Sequence, residues 1–475
     1  MKKYPELTIK EASVLLEKKE LSSKDLTEMV LDVAEEKNGD INAYLEIFDD
    51  CLEQAEEADK LRSNGNTEAL CGVPIAIKDN ILIKDRRVTA ASKILEGYRA
   101  VYDATVISKL KTKGSVFIGR TNLDEFAMGA STENSAYGST KNPLDTTRVP
   151  GGSSGGSAAA IAMGGALGAL GSDTAGSIRQ PASFCGLVGL KPTYGSVSRH
   201  GLIALGSSLD VIGPMTKTVG DAEILFNSIK GKDSYDSTSV DESMFPKKEI
   251  SGKPRIGIFN LDELAGVGAK IESYDNFNAS VNKMRDLGYS VEEISLKNIK
   301  YAVPTYYVIL PAEASSNLAR FDGVRYGLSV DGENGIDDFK KTKGAGFGKE
   351  VRRRIIIGTY VLSAGYSDEY YKKALKVREL ISQDFREAFK SVDIIMTPTT
   401  ASSAFKLGEK VNDPVAMYLE DIFTVPANHT GIPALTVPSN KNKDGGFDDM
   451  PLGVQFMAPH MHESLLFTVG KDFEK

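Results

Sequence analysis

Cysteine and histidine are scarce in this sequence, and the few that occur follow no disulfide or metal-binding pattern. The three cysteines are Cys51, Cys71 and Cys185. Their odd number and the lack of a Cys-x-x-Cys spacing predict reduced thiols, as in a cytoplasmic protein. None of the histidines falls in a spacing such as His-Glu-x-x-His; the four are His200, His429, His460 and His462. We therefore expect no metal site.

Long apolar runs and an excess of positive charge are also missing. No stretch approaches the ~18 consecutive apolar residues of a membrane-spanning helix. The first residues, Met-Lys-Lys-Tyr-Pro-Glu-Leu, lack the apolar core of a signal peptide. Both observations predict a cytoplasmic protein that has no contact with a membrane. With a net charge of −8, the chain is a poor ligand for polyanions, so any nucleic acid should be held mainly by another subunit.

The 475 residues have an ordinary globular composition, 41% hydrophobic and 26% charged. Helical patterns alternate with short apolar, β-prone runs, which predicts an α/β fold. One such run, residues 73–77, places Lys78 at the C-terminal end of a buried strand. We expect one large domain with three parts: an N-terminal helical segment packed on the body at 1–64, a core at 65–230, and a second α/β half at 250–475 that completes the substrate pocket.

Two polar segments interrupt this alternation. Residues 328–346 are polar and rich in glycine, which is typical of a mobile loop. Residues 121–129, Thr-Asn-Leu-Asp-Glu-Phe-Ala-Met-Gly, read as a turn into a short helix. Its acids, Asp124 and Glu125, are candidates for catalysis, but we expect them to cap the N-terminus of that helix.

Two glycine- and serine-rich segments stand out in the first half of the chain. Residues 150–157 read Pro-Gly-Gly-Ser-Ser-Gly-Gly-Ser, and residues 171–181 read Gly-Ser-Asp-Thr-Ala-Gly-Ser-Ile-Arg-Gln-Pro. Glycine allows a close backbone approach that a Cβ would block, so hydroxyls and bare N–H groups can converge on one point. A flexible linker is the alternative. The first segment, however, leads directly into Ser-Ala-Ala-Ala-Ile-Ala-Met at 157–163, which is typical of a buried helix.

A serine becomes a nucleophile only with a base within hydrogen-bonding distance, and three arrangements of this kind fit poorly. The Gly-x-Ser-x-Gly elbow occurs around Ser153 and Ser154; the downstream histidines keep it as a weak alternative, since residues 145–150 make a poor preceding strand. Ser-x-x-Lys begins at Ser108 and Ser403, but the motifs that accompany it in penicillin-recognising enzymes are absent. A P-loop is excluded because its Gly-Lys-Ser/Thr ending is missing. A serine and a lysine from separate segments remain.

In these segments the chain resembles the amidase-signature family. Residues 151–157 together with 171–182 are similar to the signature of that family, and Ile-Ala-Ile-Lys-Asp-Asn at 75–80 is similar to its lysine strand. Two long motifs and a third upstream occur in the family's order, so the resemblance is specific. It implies an α/β fold whose mixed central sheet is covered by helices on both faces.

The resemblance implies Ser177 as the nucleophile, Ser153 as a bridging serine held by a cis peptide, and Lys78 as the base. A lysine with a pKa of ~10.4 cannot accept a proton at pH 7, but burial penalises the charged form and lowers the pKa. Ser153 can relay the proton from Ser177 to Lys78 because a hydroxyl donates and accepts at once. The resemblance also implies an oxyanion hole, made by the backbone N–H groups of Thr174, Ala175, Gly176 and Ser177. The family usually has glycine where this chain has Ala175.

Within the family, the chain resembles the glutaminase subunits of tRNA-dependent amidotransferases over nearly its whole length. The similar segments are 304–307, 311–327, 346–355, 358–366 and 417–421. This resemblance implies that glutamine is the substrate and that its ammonia travels to a B subunit in a heterotrimer clasped by a small C subunit. The B subunit would use ATP and Mg²⁺ to activate Glu-tRNA(Gln) or Asp-tRNA(Asn) and would hold most of the tRNA. The chain itself would then need no cofactor.

A glutaminase must hold the α-carboxylate and the α-ammonium of its substrate. By resemblance, Arg354 binds the carboxylate, Asp421 binds the ammonium, and Tyr306 lines the pocket; a guanidinium fork suits a carboxylate. Because neighbouring helical positions differ by ~100°, only one arginine of the run 352–354 should face the site. Two alternatives stay open. A free-standing amide hydrolase would share the serines and the lysine but would have no reason for the Arg354/Asp421 pair, and a non-catalytic scaffold should have lost Lys78 or the nucleophile.

Overall fold

A mixed sheet of eleven strands forms the centre of the computed structural model, which describes residues 6–246, 250–261, 264, 271–442 and 445–475. The strands are β1 (Tyr44–Ile47), β2 (Pro74–Lys78), β3 (Val116–Thr121), β4 (Gly168–Asp173), β5 (Val188–Lys191), β6 (Val211–Thr216), β7 (Ile256–Ile258), β8 (Val291–Glu293), β9 (Ile394–Pro398), β10 (Ala434–Pro438) and β11 (Gly453–Met457). Their order across the sheet is β1-β3-β2-β4-β6-β5-β10-β11-β9-β7-β8. β2 runs parallel to β3 and β4, and β7 runs parallel to β8 and β9, whereas every pair between β4 and β9 is antiparallel.

Helices connect and flank these strands. In chain order they are α1 (Ile9–Glu17), α2 (Ser23–Ile41), α3 (Cys51–Ser63), α4 (Thr105–Thr112), α5 (Gly155–Ala162), α6 (Arg179–Phe184), α7 (Val219–Ile229), α8 (Tyr274–Asp286), α9 (Ala302–Asn317), α10 (Gly335–Gly346), α11 (Lys349–Leu362), α12 (Lys373–Ser391), α13 (Pro414–Leu419), α14 (Val425–Thr430) and α15 (Glu463–Glu474). Every residue of β2 to β6 and of β9 to β11 is buried, so both faces of the sheet are covered there. The predicted α/β fold with a covered mixed sheet is confirmed.

The structure differs from the sequence prediction in two segments. Within the N-terminal part, Tyr44–Ile47 forms β1 antiparallel to β3, and the Tyr44 hydroxyl donates to the carbonyl of Gly165 at 2.7 Å. In place of the expected loop, Gly335–Gly346 forms α10, because the Asn334 side chain accepts two backbone N–H groups of its first turn. The division at 1–64, 65–230 and 250–475 stays a prediction.

Several sequence expectations concern what the chain lacks. Among the described residues, none of the helices is long and apolar enough to cross a membrane. In the same part of the chain, no group of three or more His, Cys, Asp or Glu side chains is arranged to hold a metal ion. All three cysteines are buried as free thiols, and burial raises the pKa of each. Of the seven residues on which the signal-peptide expectation depends, the first five lie outside the described residues.

The sheet brings the two glycine- and serine-rich segments to one edge. β2 and β4 are parallel neighbours, with Ile77 paired to Leu170, so their carboxyl ends lie side by side. β2 ends at Lys78 and β4 ends at Asp173, just before the second segment turns into α6. The first segment turns into α5 at the same place, because the backbone N–H of Ser154 donates to the carbonyl of Ser177 at 3.1 Å.

Candidate active site

Lys78 is fully buried, and its amine lies among serine oxygens. Its Nζ donates to Ser153 Oγ and Ser154 Oγ, both at 2.8 Å, and to Ser172 Oγ at 2.9 Å. Burial lowers the pKa of Lys78 to about 7, although nearby aspartates, Asp124 first, favour the charged form. The amine can therefore lose its proton near neutral pH, as a general base must.

Ser154 and Ser172 also bind Lys78, a contact that the sequence motifs did not predict for either residue. The Ser154 hydroxyl donates to the carbonyl of Ser172 at 3.1 Å, and Asn80 Nδ2 donates to Ser172 Oγ at 2.9 Å. The hydrogen of Ser154 is engaged with a carbonyl, so Ser154 cannot donate to the neutral amine. The Ser153 hydroxyl makes no other hydrogen bond within the described residues, so it can. The available signal was the position of both residues beside glycine in the two signature segments.

Ser177 is positioned through its backbone and not by contact with the other two residues. The Gly152–Ser153 peptide is cis, and the adjoining Ser154 N–H binds the Ser177 carbonyl. Ser177 as a residue is 8% exposed, and within the described residues its Oγ makes no hydrogen bond. Direct contact thus joins Lys78 to Ser153, while the Ser177 hydroxyl stays accessible to a substrate.

A buried ion pair fixes the turn that carries Ser177. The Asp173 carboxylate accepts backbone N–H groups of Gly176 at 2.9 Å and Ile178 at 3.2 Å, and it pairs with Arg179 at 3.0 Å. Arg179 Nη1 also donates to the carbonyl of Thr424 and to Gln455, so it ties this turn to the second half of the chain. Burial alone would raise the pKa of Asp173, but the Arg179 charge and its hydrogen bonds outweigh burial and lower that pKa to about 2.

The structure differs from the predicted oxyanion hole at Gly176, because the N–H of this residue already donates to Asp173 Oδ1. Within the described residues, the N–H groups of Thr174, Ala175 and Ser177 have no acceptor. Ala175 keeps a negative φ, whereas Gly176 has φ +141° and a Cβ there would lie 2.3 Å from Thr424 Oγ1. The alanine in place of the family's usual glycine therefore causes no backbone strain, because the position that needs glycine is the next one.

Asp124 does not cap its short helix, as the sequence had suggested. It is fully buried and accepts backbone N–H groups of Thr132 at 2.9 Å and Asn134 at 3.1 Å, and burial raises its pKa to about 6. Its own N–H donates to the carbonyl of Ser153 at 3.3 Å, and a Cβ on Gly152 would lie 2.2 Å from its carboxylate. Asp124 therefore shapes the turn that presents Ser153.

The predicted carboxylate-binding residue, Arg354, lies on α11 and is the buried arginine of its run, at 4% exposure. Its Nε donates to Glu350 Oε1 at 2.8 Å. Its guanidinium lies 5.3 Å from the ring centre of Tyr307 and 5.6 Å from that of Tyr418, and these two rings stack at 3.7 Å. Within the described residues both Nη atoms lack a partner, so the guanidinium can still bind a carboxylate with two parallel hydrogen bonds.

The predicted ammonium-binding residue, Asp421, lies at the hydroxyl end of the same tyrosine, Tyr307. The Tyr307 hydroxyl donates to Asp421 Oδ2 at 3.1 Å, and burial raises the pKa of Asp421 to about 7 although this bond and Arg354 oppose the change. Tyr306 is 3% exposed and packs edge-on against Tyr307 at 4.9 Å. Tyr307 therefore contacts both charged residues. The sequence did not assign this role to Tyr307, because Tyr306 and Tyr307 are adjacent and residue type does not distinguish them.

A cation and an anion thus contact the same tyrosine. Asp421 is joined to the turn that carries Ser177 through Thr424, whose hydroxyl donates to the carbonyls of Ala175 and Asp421. With the buried amine, the serine hydroxyls and the backbone N–H groups of that turn, these charges form a set that can cleave the amide of a small zwitterionic molecule. The sequence profile of the amidase family, described as Amidase, matches residues 25–467. The chain belongs to the amidase family, and the resemblance stated from its motifs is confirmed.

Several individual proteins of known name or structure are similar to the chain over nearly its whole length. The chain is 50% identical to the A subunit of glutamyl-tRNA(Gln) amidotransferase from Thermoanaerobacter pseudethanolicus, over 99% of this chain and 96% of that protein. It is also 50% identical to the protein of the same name from Koribacter versatilis, over 98% of each. Among solved structures, the corresponding protein from Thermotoga maritima has 40% identity and a TM-score of 0.79, covering 100% of this chain and 96% of that one. A peptide amidase from Stenotrophomonas maltophilia has a TM-score of 0.82 at 27% identity, covering 99% and 97%.

Proposed function

We propose that this chain is the glutamine-hydrolysing component of a tRNA-dependent amidotransferase. The observation that carries the proposal is that Arg354 and Asp421 both contact Tyr307, in a protein that also holds the lysine and serines of an amidase. Hydrolysis of a simple amide needs no such pair of charges, whereas glutamine has an α-carboxylate and an α-ammonium to be held. Similarity to the hydrolysing chains of these amidotransferases along nearly the whole length supports the same substrate.

In the proposed reaction, Ser177 Oγ attacks the side-chain amide carbon of glutamine. Its proton passes to Ser153 Oγ, while the proton of Ser153 passes to the neutral amine of Lys78. The negative oxygen of the tetrahedral intermediate is stabilised by three backbone N–H groups, those of Thr174, Ala175 and Ser177. Collapse of the intermediate breaks the C–N bond, and the proton held by Lys78 returns through Ser153 to the leaving nitrogen, which departs as ammonia.

A water molecule then repeats the sequence on the acyl-enzyme. It gives its proton through Ser153 to Lys78 and attacks the ester carbon. The bond from that carbon to Ser177 Oγ then breaks, the proton returns through Ser153 to Ser177 Oγ, and glutamate leaves. In both steps the substrate is oriented by the Arg354 fork on its carboxylate and by Asp421 on its ammonium. Orientation of this kind converts binding energy into rate, because the amide carbon is held next to the nucleophile.

Two partners belong to this proposal, a B subunit together with a small C subunit. The B subunit would receive the ammonia and use ATP and Mg²⁺ to activate Glu-tRNA(Gln) or Asp-tRNA(Asn), so no cofactor is assigned to this chain. The net charge of −8 supports this assignment, because a chain of this charge attracts RNA weakly and leaves the tRNA to its partner. A cytoplasmic location follows from that role in translation.

The test is a transamidation assay on the complex co-purified with this chain, with each misacylated tRNA and with glutamine or ammonium as nitrogen donor. We expect Ser177→Ala and Lys78→Ala to abolish the glutamine-dependent reaction and to leave the ammonium-dependent reaction intact. Asp421→Asn should raise the KM for glutamine and spare the use of ammonium. Full glutamine-dependent activity in Ser177→Ala or Lys78→Ala would refute the mechanism. Hydrolysis of uncharged amides as efficient as that of glutamine would favour the free-standing amide hydrolase instead.

A further inference from the structure

Glu125 and Phe126, which belong to the part of the chain at 65–230, contact the start of α11, the helix that carries Arg354. Glu125 Oε2 accepts the backbone N–H of Gly348 at 2.8 Å, and Gly348 is the N-cap of α11. The adjoining Phe126 ring packs edge-on against Phe347 at 5.7 Å. One polar and one apolar contact therefore join two consecutive residues of the core to two consecutive residues of the second half.

The contact is buried and closely fitted. Glu125 is 2% exposed, and the Ser92 hydroxyl donates to its Oε1 while lying 3.1 Å from the carbonyl of Gly346. A Cβ on Gly348 would lie 2.3 Å from Glu125 Oε2, so no larger residue fits between the carboxylate and the helix. Burial raises the pKa of Glu125 to about 7, but Oε2 accepts the Gly348 N–H at the start of α11 whether or not the acid is ionised.

This contact links the catalytic turn to the substrate helix. Asp124, the preceding residue, binds the Ser153 carbonyl through its N–H, as described above. Glu125 faces the other way and holds Gly348, from which Glu350 and Arg354 follow on the next two turns of α11. One short segment therefore sets both the turn of Ser153 and the start of the helix that presents the guanidinium.

We propose that Glu125 is a positioning residue for glutamine: it fixes the start of α11 and thereby the distance between the Arg354 guanidinium and the catalytic serines. The inference rests on the proposed function, since it assumes that Arg354 binds the substrate carboxylate. Loss of Glu125 lets the start of α11 shift. The substrate carboxylate is then bound poorly, while Lys78, Ser153 and Ser177 keep their places.

The test compares the full chain, purified with its partner subunits, with its Glu125→Ala variant in glutamine hydrolysis. We expect the KM for glutamine to rise about tenfold with kcat within about twofold, as for the loss of an interaction made in both ground and transition states. Glu125→Gln keeps an acceptor for the Gly348 N–H and should restore most of the affinity. The matched control is Asp221→Ala, because Asp221 is also buried and accepts the N–H groups of Ile9 and Lys10 at the start of α1. It should leave the KM unchanged.

A double-mutant cycle separates positioning from a general loss of structure. If Glu125 acts through Arg354, then Glu125→Ala adds little to the KM of Arg354→Ala; additive effects would overturn the inference. If Glu125→Ala fails to fold, Gly348→Ala tests the same contact, because its Cβ pushes the carboxylate away and should raise the KM in the same manner. An unchanged KM in the variants that fold, or a fall in kcat alone, would also overturn it.

The proposed function is checked separately with a small sulfonyl fluoride, which sulfonylates an activated serine with loss of fluoride and does not need Arg354. Glu125→Ala should be labelled at Ser177 as fast as the parent chain, and slower labelling would overturn the positioning role. If the parent complex does not hydrolyse glutamine, the proposed function itself fails. If it does, but the Glu125→Ala variant keeps its KM, only the inference about Glu125 fails.

Discussion

Glutamine hydrolysis is predicted to depend steeply on pH, because two buried groups must both be deprotonated. Lys78 acts as a base only when neutral, and burial lowers its pKa from 10.5 to about 7. Asp421 binds an ammonium only when charged, and burial raises its pKa to about 7. The two shifts are opposite in direction but act alike on activity. As the pH falls through 7, protonation of either Lys78 or Asp421 leaves the free enzyme unable to hydrolyse glutamine.

The magnitudes follow from these values. At pH 7 about half of the Lys78 amines are neutral, against about one in 3000 for a lysine with the ordinary pKa. At pH 6 each group is deprotonated in about one tenth of the molecules, so kcat/KM should fall about a hundredfold for each further pH unit below 6. The substrate ammonium lowers the pKa of Asp421 in the complex, because an opposite charge favours the carboxylate. Below 7, kcat should therefore fall only about tenfold per pH unit, in response to Lys78 alone.

The assay measures ammonia release between pH 5.5 and 9 and fits kcat and kcat/KM separately. Asp421→Asn provides the matched comparison, since it removes one titrating group and should reduce the limiting slope of kcat/KM from two to one. A kcat that stays constant between pH 8 and pH 6 would refute the role of Lys78 as the base. Parallel slopes for the parent and Asp421→Asn would refute the role of Asp421.

Three further predictions follow from contacts around the site. Asp173→Asn leaves the fully buried Arg179 charge uncompensated and should lower the free energy of unfolding by about 3–5 kcal/mol; an unchanged urea midpoint would contradict this. Gly176→Ala should abolish hydrolysis, because the new Cβ would meet Thr424. Ala175→Gly should change kcat by less than about twofold, because position 175 has a negative φ. Equal effects of the two variants would contradict the conclusion that position 176, and not 175, requires glycine. Glu350→Ala frees the Arg354 Nε and should raise the KM for glutamine about fivefold at constant kcat, and a lower kcat at constant KM would argue against it.

Much of the fold could be predicted because its strands are short apolar runs between helical patterns. The run ending at Lys78 is an example: the strand and its terminal lysine occur as expected. The segment 335–346 was mispredicted because its helix depends on one cap, Asn334, and not on an apolar stripe. β1 escaped prediction because four residues paired to a distant strand have no pattern of their own. Local composition is a weak guide where a distant partner decides the structure.

The site was less predictable where the direction of a group matters. Motifs identified Lys78, Ser153 and Ser177, but the N–H of Gly176 binds Asp173 because the backbone turns at φ +141°, which residue types do not reveal. Similarly, Tyr306 and Tyr307 are adjacent on α9, and only the packed structure shows which hydroxyl meets Asp421. The catalytic and binding roles of the predicted residues stay predictions until the variants are measured.

The burial of every thiol has a practical consequence for studying how the helices move. Cys51, Cys71 and Cys185 are inaccessible, and their raised pKa values leave almost no thiolate at neutral pH, so maleimide dyes should not label the native chain. A single cysteine introduced at Ile356, which is 69% exposed on the outer face of α11, would then be the one reactive site. The fluorescence of a dye attached there would report whether α11, the helix that carries Arg354, shifts when glutamine binds. The three native thiols would add no signal, because they stay unlabelled.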